Sequence, residues 1–151
     1  MTAAVVADAS PLIAHQQIGQ LRLLHALFGE VIVPPAVKLE TQPSVPSVPW
    51  IVERRPSQPI APLELRMSLG AGESEALALA VEMRTGRLLV DERAARHAAQ
   101  ALGLNVIGTL GVLLAAKREG DLRVVDESGE DYLYPAEWFV ALEVPKVVAI
   151  R

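Results

Sequence analysis

The sequence has no cysteine, few aromatic residues and no long apolar run, and each of these absences excludes a class of protein. Without cysteine there are no disulfides, thiolate metal ligands or cysteine nucleophiles, which is typical of cytoplasmic proteins. The longest apolar segment, near residues 106–116, is well short of the roughly 20 residues that span a bilayer. The amino terminus lacks a basic region, and an acid interrupts its apolar stretch, so we expect no signal peptide. We therefore expect a cytoplasmic protein without a membrane partner.

Basic residues are not in excess either. Lys and Arg together number 14 and Asp and Glu 18, which gives a net charge of −4. A broad basic surface for nucleic acid is therefore not evident in the composition. Any substrate that carries phosphate would need a local basic patch or a bound cation. The chain has 151 residues, which is about one domain with a proper core.

Short apolar segments alternate with helical patterns along most of the chain. The apolar segments at 3–7, 31–33, 88–90 and 105–107 predict buried strands, and the residues between them repeat at helical spacing. This alternation predicts an α/β fold, a three-layer α/β/α sandwich around a mostly parallel sheet. The tail predicts a β-hairpin with strands at 122–125 and 132–134. We therefore assign residues 1–120 to the main domain and 121–151 to a hairpin extension of the same domain.

Two aspartates stand directly after predicted buried strands. Asp8 follows the first strand, and Ser10 and Pro11 behind it suit the cap and first turn of a helix. Asp91 follows the strand at 88–90, and in open α/β sheets ligands bind at the carboxyl ends of the strands. If the two strands are neighbours, their carboxylates emerge close together and repel each other. Mg²⁺ and Mn²⁺ prefer oxygen ligands, so the sequence predicts a divalent cation here.

Glutamates in apolar helical stretches are candidates for the same site. Glu40 and Glu75 each lie in a helix that must pack on the sheet, and Glu73 lies on the other flank of the second helix. Helical geometry alone does not choose between Glu73 and Glu75. Each acid also has an ordinary structural explanation: Asp91 can cap the following helix, and Glu73 suits a first helical turn. Their coincidence in one domain favours a functional site.

Five blocks of sequence, in this order, resemble the PIN-domain family. They are Val-Val-Ala-Asp-Ala-Ser-Pro-Leu-Ile, Val-Pro-Pro-Ala-Val with a later Glu, Gly-Glu-Ser-Glu-Ala-Leu-Ala-Leu-Ala, Leu-Leu-Val-Asp-Glu-Arg-Ala-Ala-Arg and Gly-Leu-Asn-Val-Ile-Gly-Thr-Leu-Gly-Val-Leu. The resemblance runs from about residue 5 to residue 120 and is to the bacterial branch with the VapC-like toxins (DUF3368-like). It implies a metal-dependent ribonuclease that cleaves RNA with Mg²⁺ or Mn²⁺.

The resemblance also implies a catalytic quartet of acids that bind the metal. Residue by residue, the quartet falls on Asp8, Glu40, Glu75 and Asp91. Many relatives have Asp where Glu75 stands, so Glu73 is kept as an alternative for the third acid. The two aspartates would be the firmest ligands, and the glutamates would complete the shell or orient the attacking water.

Three further residues are candidates for contact with the RNA substrate. Ser10 matches the family's small hydroxyl residue near the first acid. Arg93 and Arg96 follow Asp91 on one helix, where they would contact the RNA backbone or simply form a solvated face. His15 and His25 have no ligand-like spacing, and we interpret them as ordinary surface or interhelical residues.

From the resemblance we expect the toxin of a type II toxin–antitoxin pair, with a cognate antitoxin protein as its partner. The alternative is a catalytically silent PIN-like binding module that acts through a protein partner. Apolar residues around Leu21, Leu24 and Phe28 indicate a homodimer, unless the core absorbs them.

Overall fold

The structure is a computed structural model that describes residues 4–58, 68–84, 86–118, 124–125 and 149–150. The chain divides into two compact units, Met1–Thr109 and Leu110–Arg151. The strands of the first unit are β1 (Val5–Ala7), β2 (Val31–Val33), β3 (Ile51–Glu53), β4 (Arg87–Leu89) and β5 (Asn105–Ile107). Its helices are α1 (Ala9–Gln17), α2 (Arg22–Phe28), α3 (Pro35–Thr41), α4 (Ala71–Met83) and α5 (Arg93–Ala101). Helix α6 (Thr109–Arg118) begins at the last residue of this unit.

The five strands of the first unit form one sheet in the order β3-β2-β1-β4-β5, and all neighbours are parallel. The chain leaves β1 toward β2 and β3, then crosses back to β4 and β5 on the other side. Right-handed crossovers therefore place the connecting helices on both faces of the sheet. This confirms the predicted α/β architecture. The strand order reverses between β1 and β4, and such a switch point opens a crevice at the carboxyl ends of the two strands.

The core lies between the sheet and its helices. The central strands β1 and β2 are buried along their whole length, as their continuous apolar sequence predicts. The helices contribute small side chains to the core: Ala76 and Ala80 in α4 and Ala95 and Ala99 in α5 are fully buried. Alanine lets a helix approach the sheet closely, so a core with few aromatic residues can still be densely packed.

The apolar residues that indicated a homodimer belong to this core. Leu21, Leu24 and Phe28 are all buried within the chain. The apolar surplus of the early helices is therefore accounted for without a second copy.

Glycines lie at two helix boundaries, and one predicted boundary is wrong. Gly19 (φ 70°) separates α1 from α2, and Gly103 (φ 79°) follows α5. Ser10, in contrast, does not cap α1. The helix begins at Ala9, so that Asp8 occupies the cap position and Ser10 lies exposed in the first turn.

In the second unit the structure describes α6 beyond Thr109 and two short strands, β6 (Val124–Val125) and β7 (Ala149–Ile150). The two strands pair antiparallel, with Val124 opposite Ile150 and Val125 opposite Ala149. The described partner of β6 is thus β7, and the predicted hairpin strand at 132–134 lies outside the described residues. In the described parts of both units, no helix is both long enough and apolar enough to cross a bilayer.

Candidate functional site

Asp8 and Asp91 leave neighbouring parallel strands at the switch point of the sheet. The backbone N–H of Asp8 donates to the Leu89 carbonyl at 2.8 Å, which extends the β1–β4 ladder by one residue. Since Ala7 pairs with Leu89, Asp8 is level with Val90, and Asp91 comes one residue later along β4. The two aspartates therefore meet at the carboxyl edge of the sheet.

The Asp8 carboxylate is buried without a matching partner. Its side chain is 2% exposed, and its Oδ1 atom has no hydrogen-bond donor. It does not cap α1, although it occupies the cap position. Burial raises the pKa of Asp8 to about 6; the backbone N–H of Ala9 acts against this shift.

Three other carboxylates add to the raised pKa of Asp8. In decreasing order they are Glu73, Glu40 and Asp91, each of which disfavours a second negative charge nearby. Asp8 is thus within electrostatic range of three other predicted site acids, although no three acids or histidines among the described residues are close enough together to hold an ion as they stand. We call Asp8, Glu40, Glu73 and Asp91 the acid cluster.

Glu40 reaches the acid cluster from the last turn of α3 and rests against the start of α4. The backbone N–H of Gly72 donates to Glu40 Oε1 at 3.1 Å. A Cβ atom on Gly72 would lie only 2.7 Å from the same oxygen, so no other residue fits there without moving Glu40. Gly70 does the same for Glu73, because a Cβ on Gly70 would collide with Glu73 Oε2. Two glycines thus make room for the two glutamates.

Glu75 points elsewhere. Its Oε2 atom accepts a hydrogen bond from the backbone N–H of Ala36 at 2.8 Å, at the start of α3. Glu75 is not among the groups that raise the pKa of Asp8, whereas Glu73 is the largest contributor among the carboxylates. Of the two glutamates that helical geometry leaves open, Glu73 is the one whose charge raises the pKa of Asp8.

Asp91 is held by Thr109, the first residue of α6. The Thr109 N–H donates to Oδ1 at 2.7 Å and its hydroxyl donates to Oδ2 at 2.6 Å. Asp91 therefore does not cap α5, whose cap position is Glu92. Gly108 lies directly beneath it, and a Cβ there would lie 3.0 Å from Asp91 Oδ1.

The candidate RNA contacts lie around this acid cluster at the protein surface. Ser10, Arg93 and Arg96 are all exposed. Only Arg96 is measurably close to an acid: its Nη1 atom lies 3.8 Å from the point where a Gly108 Cβ would be, beside Asp91 Oδ1. Asp91 Oδ1 and Arg96 Nη1 thus both lie within 4 Å of the space over Gly108.

His15 is not a surface residue, so of the two interpretations given for it only the interhelical one remains. It is fully buried in α1, and its Nδ1 donates to the Pro11 carbonyl at 2.7 Å. A carbonyl only accepts, so Nδ1 carries the proton, and Nε2 is left buried without a partner. Burial lowers the pKa of His15, against the effect of Asp91, which raises it. The imidazole is therefore neutral at neutral pH.

Sequence reasoning missed Gly72 and Gly108 as the residues that make room for the acids, and Thr109 as a partner of Asp91. The pattern placed Thr109 near the start of a helix, which is the only signal that pointed to it. Nothing in the sequence pattern indicated that these two glycines make room for acids, because this depends on which side chain the fold places next to them.

A separate concavity of about 710 Å³ lies at the opposite, amino-terminal edge of the sheet. His25 and Trp50 stack there, with ring centroids 5.1 Å apart. Its lining contains one acid, Glu30, so it has no cluster of carboxylates. The lining residues are Ala4, His25, Phe28, Gly29, Glu30, Pro49 and Trp50.

Comparison with known proteins agrees with this fold. The chain resembles the solved structure of a PilT N-terminus domain protein, SSO1118, from the hyperthermophilic archaeon Sulfolobus solfataricus P2, with a TM-score of 0.54 and 16% identity over 75% of this chain and 92% of that one. At this identity the likeness shows a shared fold. No curated protein matches the sequence significantly. The model of a PIN-domain family, DUF3368, matches residues 4–133. The chain therefore belongs to the PIN-domain family, whose members are commonly nucleases and typically use divalent metal ions.

Proposed function

We propose that this protein is a metal-dependent endoribonuclease whose acid cluster holds Mg²⁺ or Mn²⁺. The observation that carries the proposal is the Asp8 carboxylate, which is buried with an unpartnered oxygen and whose pKa is raised further by the charges of three other acids. A buried charge of this kind is unfavourable unless it is paired or coordinates a cation. Supplying a cation would convert the mutual repulsion of the cluster into attraction.

The donor set fits a hard divalent cation. All four ligands are carboxylates, and Mg²⁺ and Mn²⁺ prefer oxygen. Acceptor capacity is evident at two of these acids: Oδ1 of Asp8 has no donor, and the hydrogen bond from Gly72 to Glu40 goes to Oε1. Among the described residues, no three acid or histidine side chains are already arranged to hold an ion. Asp8 and Asp91 lie on adjacent strands and would be the firm ligands, while Glu40 and Glu73 would close around the cation.

When bound, the cation would lower the pKa of a water molecule and neutralise charge that develops on the phosphate. The protein supplies the orientation. Thr109 fixes both oxygens of Asp91, and Gly72 fixes one oxygen of Glu40. Glu40 is exposed and accepts from Gly72 through Oε1, so it would accept the proton of the attacking water through Oε2. Arg96 would contact a phosphate of the RNA backbone beside Asp91.

The test is cleavage of mixed single-stranded RNA with Mg²⁺ and with Mn²⁺. We expect cleavage by the wild type and a loss of at least about 100-fold in Asp8→Asn, since one central ligand is removed. Glu30→Gln is the matched control, because Glu30 is an exposed acid at the opposite edge of the sheet. Equal activity in wild type and Asp8→Asn, or no cleavage with either metal, would reject the nuclease. The second outcome, together with capture of a specific protein partner, would favour the silent binding module.

We further propose that the nuclease acts as the toxin of a type II pair, a role for which the family resemblance is the support. Expression of the chain alone should then arrest growth, and co-expression of a small antitoxin protein should restore it. Asp8→Asn should be harmless at equal protein level. A homodimer also stays a prediction, which sedimentation of the purified chain would test.

A further inference from the structure

We propose that Glu75 is a positioning residue: through its hydrogen bond to the start of α3 it holds Glu40, at the other end of α3, against Gly72. The consequence for catalysis rests on the function proposed above. The structural claim, that Glu75 determines the placement of Glu40, can be tested independently of any activity.

The two helices cap each other. Glu75 of α4 accepts from the Ala36 N–H in the first turn of α3 at 2.8 Å, and Glu40 of α3 accepts from the Gly72 N–H in the first turn of α4 at 3.1 Å. Neither helix has a side-chain cap of its own, since Pro34 and Gly70 occupy the two cap positions. The first N–H groups of a helix need such partners. Each helix therefore obtains its acidic cap from the other.

The spacing of the two bonds makes them act together. Ala36 and Glu40 are four residues apart on α3, and Gly72 and Glu75 are three apart on α4. Residues at these separations lie on the same face of a helix, about one turn apart. Two bonds one turn apart restrain both the distance and the rotation between α3 and α4. Breaking either bond should therefore loosen the other.

The hydrogen bond to Ala36 therefore gives Glu75 a structural role. Its Oε2 atom is occupied by the Ala36 N–H, while Glu73, two residues earlier, is the glutamate of this helix whose charge acts on Asp8. Glu40 has little freedom of its own, because it packs directly on the bare Cα of Gly72. The position of Glu40 in the acid cluster therefore depends on where α3 begins, and Glu75 fixes that point.

The decisive comparison is Glu75→Gln against Glu75→Ala, measured as Mn²⁺ affinity and as RNA cleavage. Glutamine keeps a side-chain oxygen that can accept from Ala36 but loses the charge that a metal ligand needs. We expect Glu75→Gln to stay within about threefold of wild type in both measurements, and Glu75→Ala to lose about tenfold, as typical of residues that support metal ligands. Glu73→Gln should weaken Mn²⁺ binding at least as much as Glu75→Ala. Ser74→Ala, at a half-buried position of the same helix, is the control.

The proposal would be overturned if the logarithms of Mn²⁺ affinity and cleavage rate for Glu75→Gln were closer to those of Glu75→Ala than to those of wild type. Glu75 would then be a metal ligand. Hydrogen exchange supplies a readout that needs neither metal nor RNA. The Gly72 amide should exchange faster in Glu75→Ala than in wild type and should remain protected in Glu75→Gln. Unchanged exchange at Gly72 in both variants would also overturn the proposal.

If Glu75→Ala does not fold, Gly72→Ala replaces it and should lose Mn²⁺ affinity with Glu75 intact. Unaltered affinity in that variant would count against the proposal. If the wild type neither binds Mn²⁺ nor cleaves RNA, the proposed function fails, and the exchange result alone decides the structural claim.

Discussion

Thr109 donates two hydrogen bonds to the carboxylate of Asp91, one from its backbone N–H to Oδ1 at 2.7 Å and one from its hydroxyl to Oδ2 at 2.6 Å. The two hydrogen bonds therefore fix the orientation of the Asp91 carboxylate. Each oxygen retains a lone pair, so the same contacts that orient Asp91 leave it able to bind a cation.

Removal of the Thr109 hydroxyl should weaken metal binding without unfolding the protein. Thr109→Val keeps the volume and the backbone N–H but leaves Oδ2 of Asp91 without its donor. We expect Mn²⁺ affinity to fall about tenfold, which is typical for the loss of a group that orients a ligand. Titration with Mn²⁺ measures this directly. Thr109→Ser retains the hydroxyl and should bind like wild type; equal loss in both variants would mean that the hydroxyl is not the cause.

Gly108→Ala should displace the Asp91 carboxylate. The new Cβ would lie 3.0 Å from Asp91 Oδ1, which is tighter than an ordinary contact, so the carboxylate must shift by a few tenths of an ångström. Because small displacements of catalytic groups are expensive, we expect RNA cleavage to fall about tenfold or more. Gly111→Ala is the control, since Gly111 is exposed within α6. Full activity of Gly108→Ala would show that Asp91 tolerates displacement.

Asp8→Asn should stabilise the metal-free protein at neutral pH. The folded-state pKa of Asp8 is raised from 3.8 to about 6, chiefly by burial, so the charged form disfavours folding above pH 6. Since each pKa unit corresponds to about 1.4 kcal/mol, we expect Asp8→Asn to raise the free energy of unfolding by about 1–3 kcal/mol at pH 7.5. Urea denaturation in the presence of a chelator measures this difference.

The difference in unfolding free energy between Asp8→Asn and wild type should shrink as the pH falls from 6 toward 4. In this range Asp8 becomes protonated in the folded wild type, and its side chain is then neutral like that of asparagine. Burial of neutral His15 has the opposite sign, since its pKa is lowered and stability is lost as the pH falls below the ordinary histidine value of 6.5. His15 is present in both proteins, so its effect cancels in the comparison. A difference that does not change with pH would assign the effect of Asp8→Asn to packing.

Arg96→Ala should weaken RNA binding more than Arg93→Ala does. Both side chains are exposed, but only Arg96 has an atom placed beside Asp91 Oδ1. We expect KM for RNA to rise about 3–10-fold, and the slope of log affinity against log salt to lose about one charge. Arg22→Ala, an exposed arginine at the start of α2, controls for net charge. If Arg96→Ala and Arg22→Ala have equal effects, Arg96 makes no specific phosphate contact.

Local sequence patterns were sufficient for the strands that precede Asp8 and Asp91 but not for the choice of acids. The apolar runs before Asp8 and Asp91 predicted two buried strands, yet only the strand order of the sheet makes β1 and β4 neighbours. Helical spacing in α4 left Glu73 and Glu75 open, because both flank the same apolar face. The packing of α3 on α4 separates them, and it involves residues more than 30 positions apart in the chain.

The buried Asp8 carboxylate has a consequence for how long the protein would persist in a cell. A chain without its cation carries a charge that opposes folding, whereas a ligand that binds only the folded state adds stability in proportion to the logarithm of its concentration. The fraction of transiently open chains, on which proteases act, would then fall as Mg²⁺ or Mn²⁺ becomes available. Metal supply would therefore control not only the rate of each molecule but the number of molecules that survive.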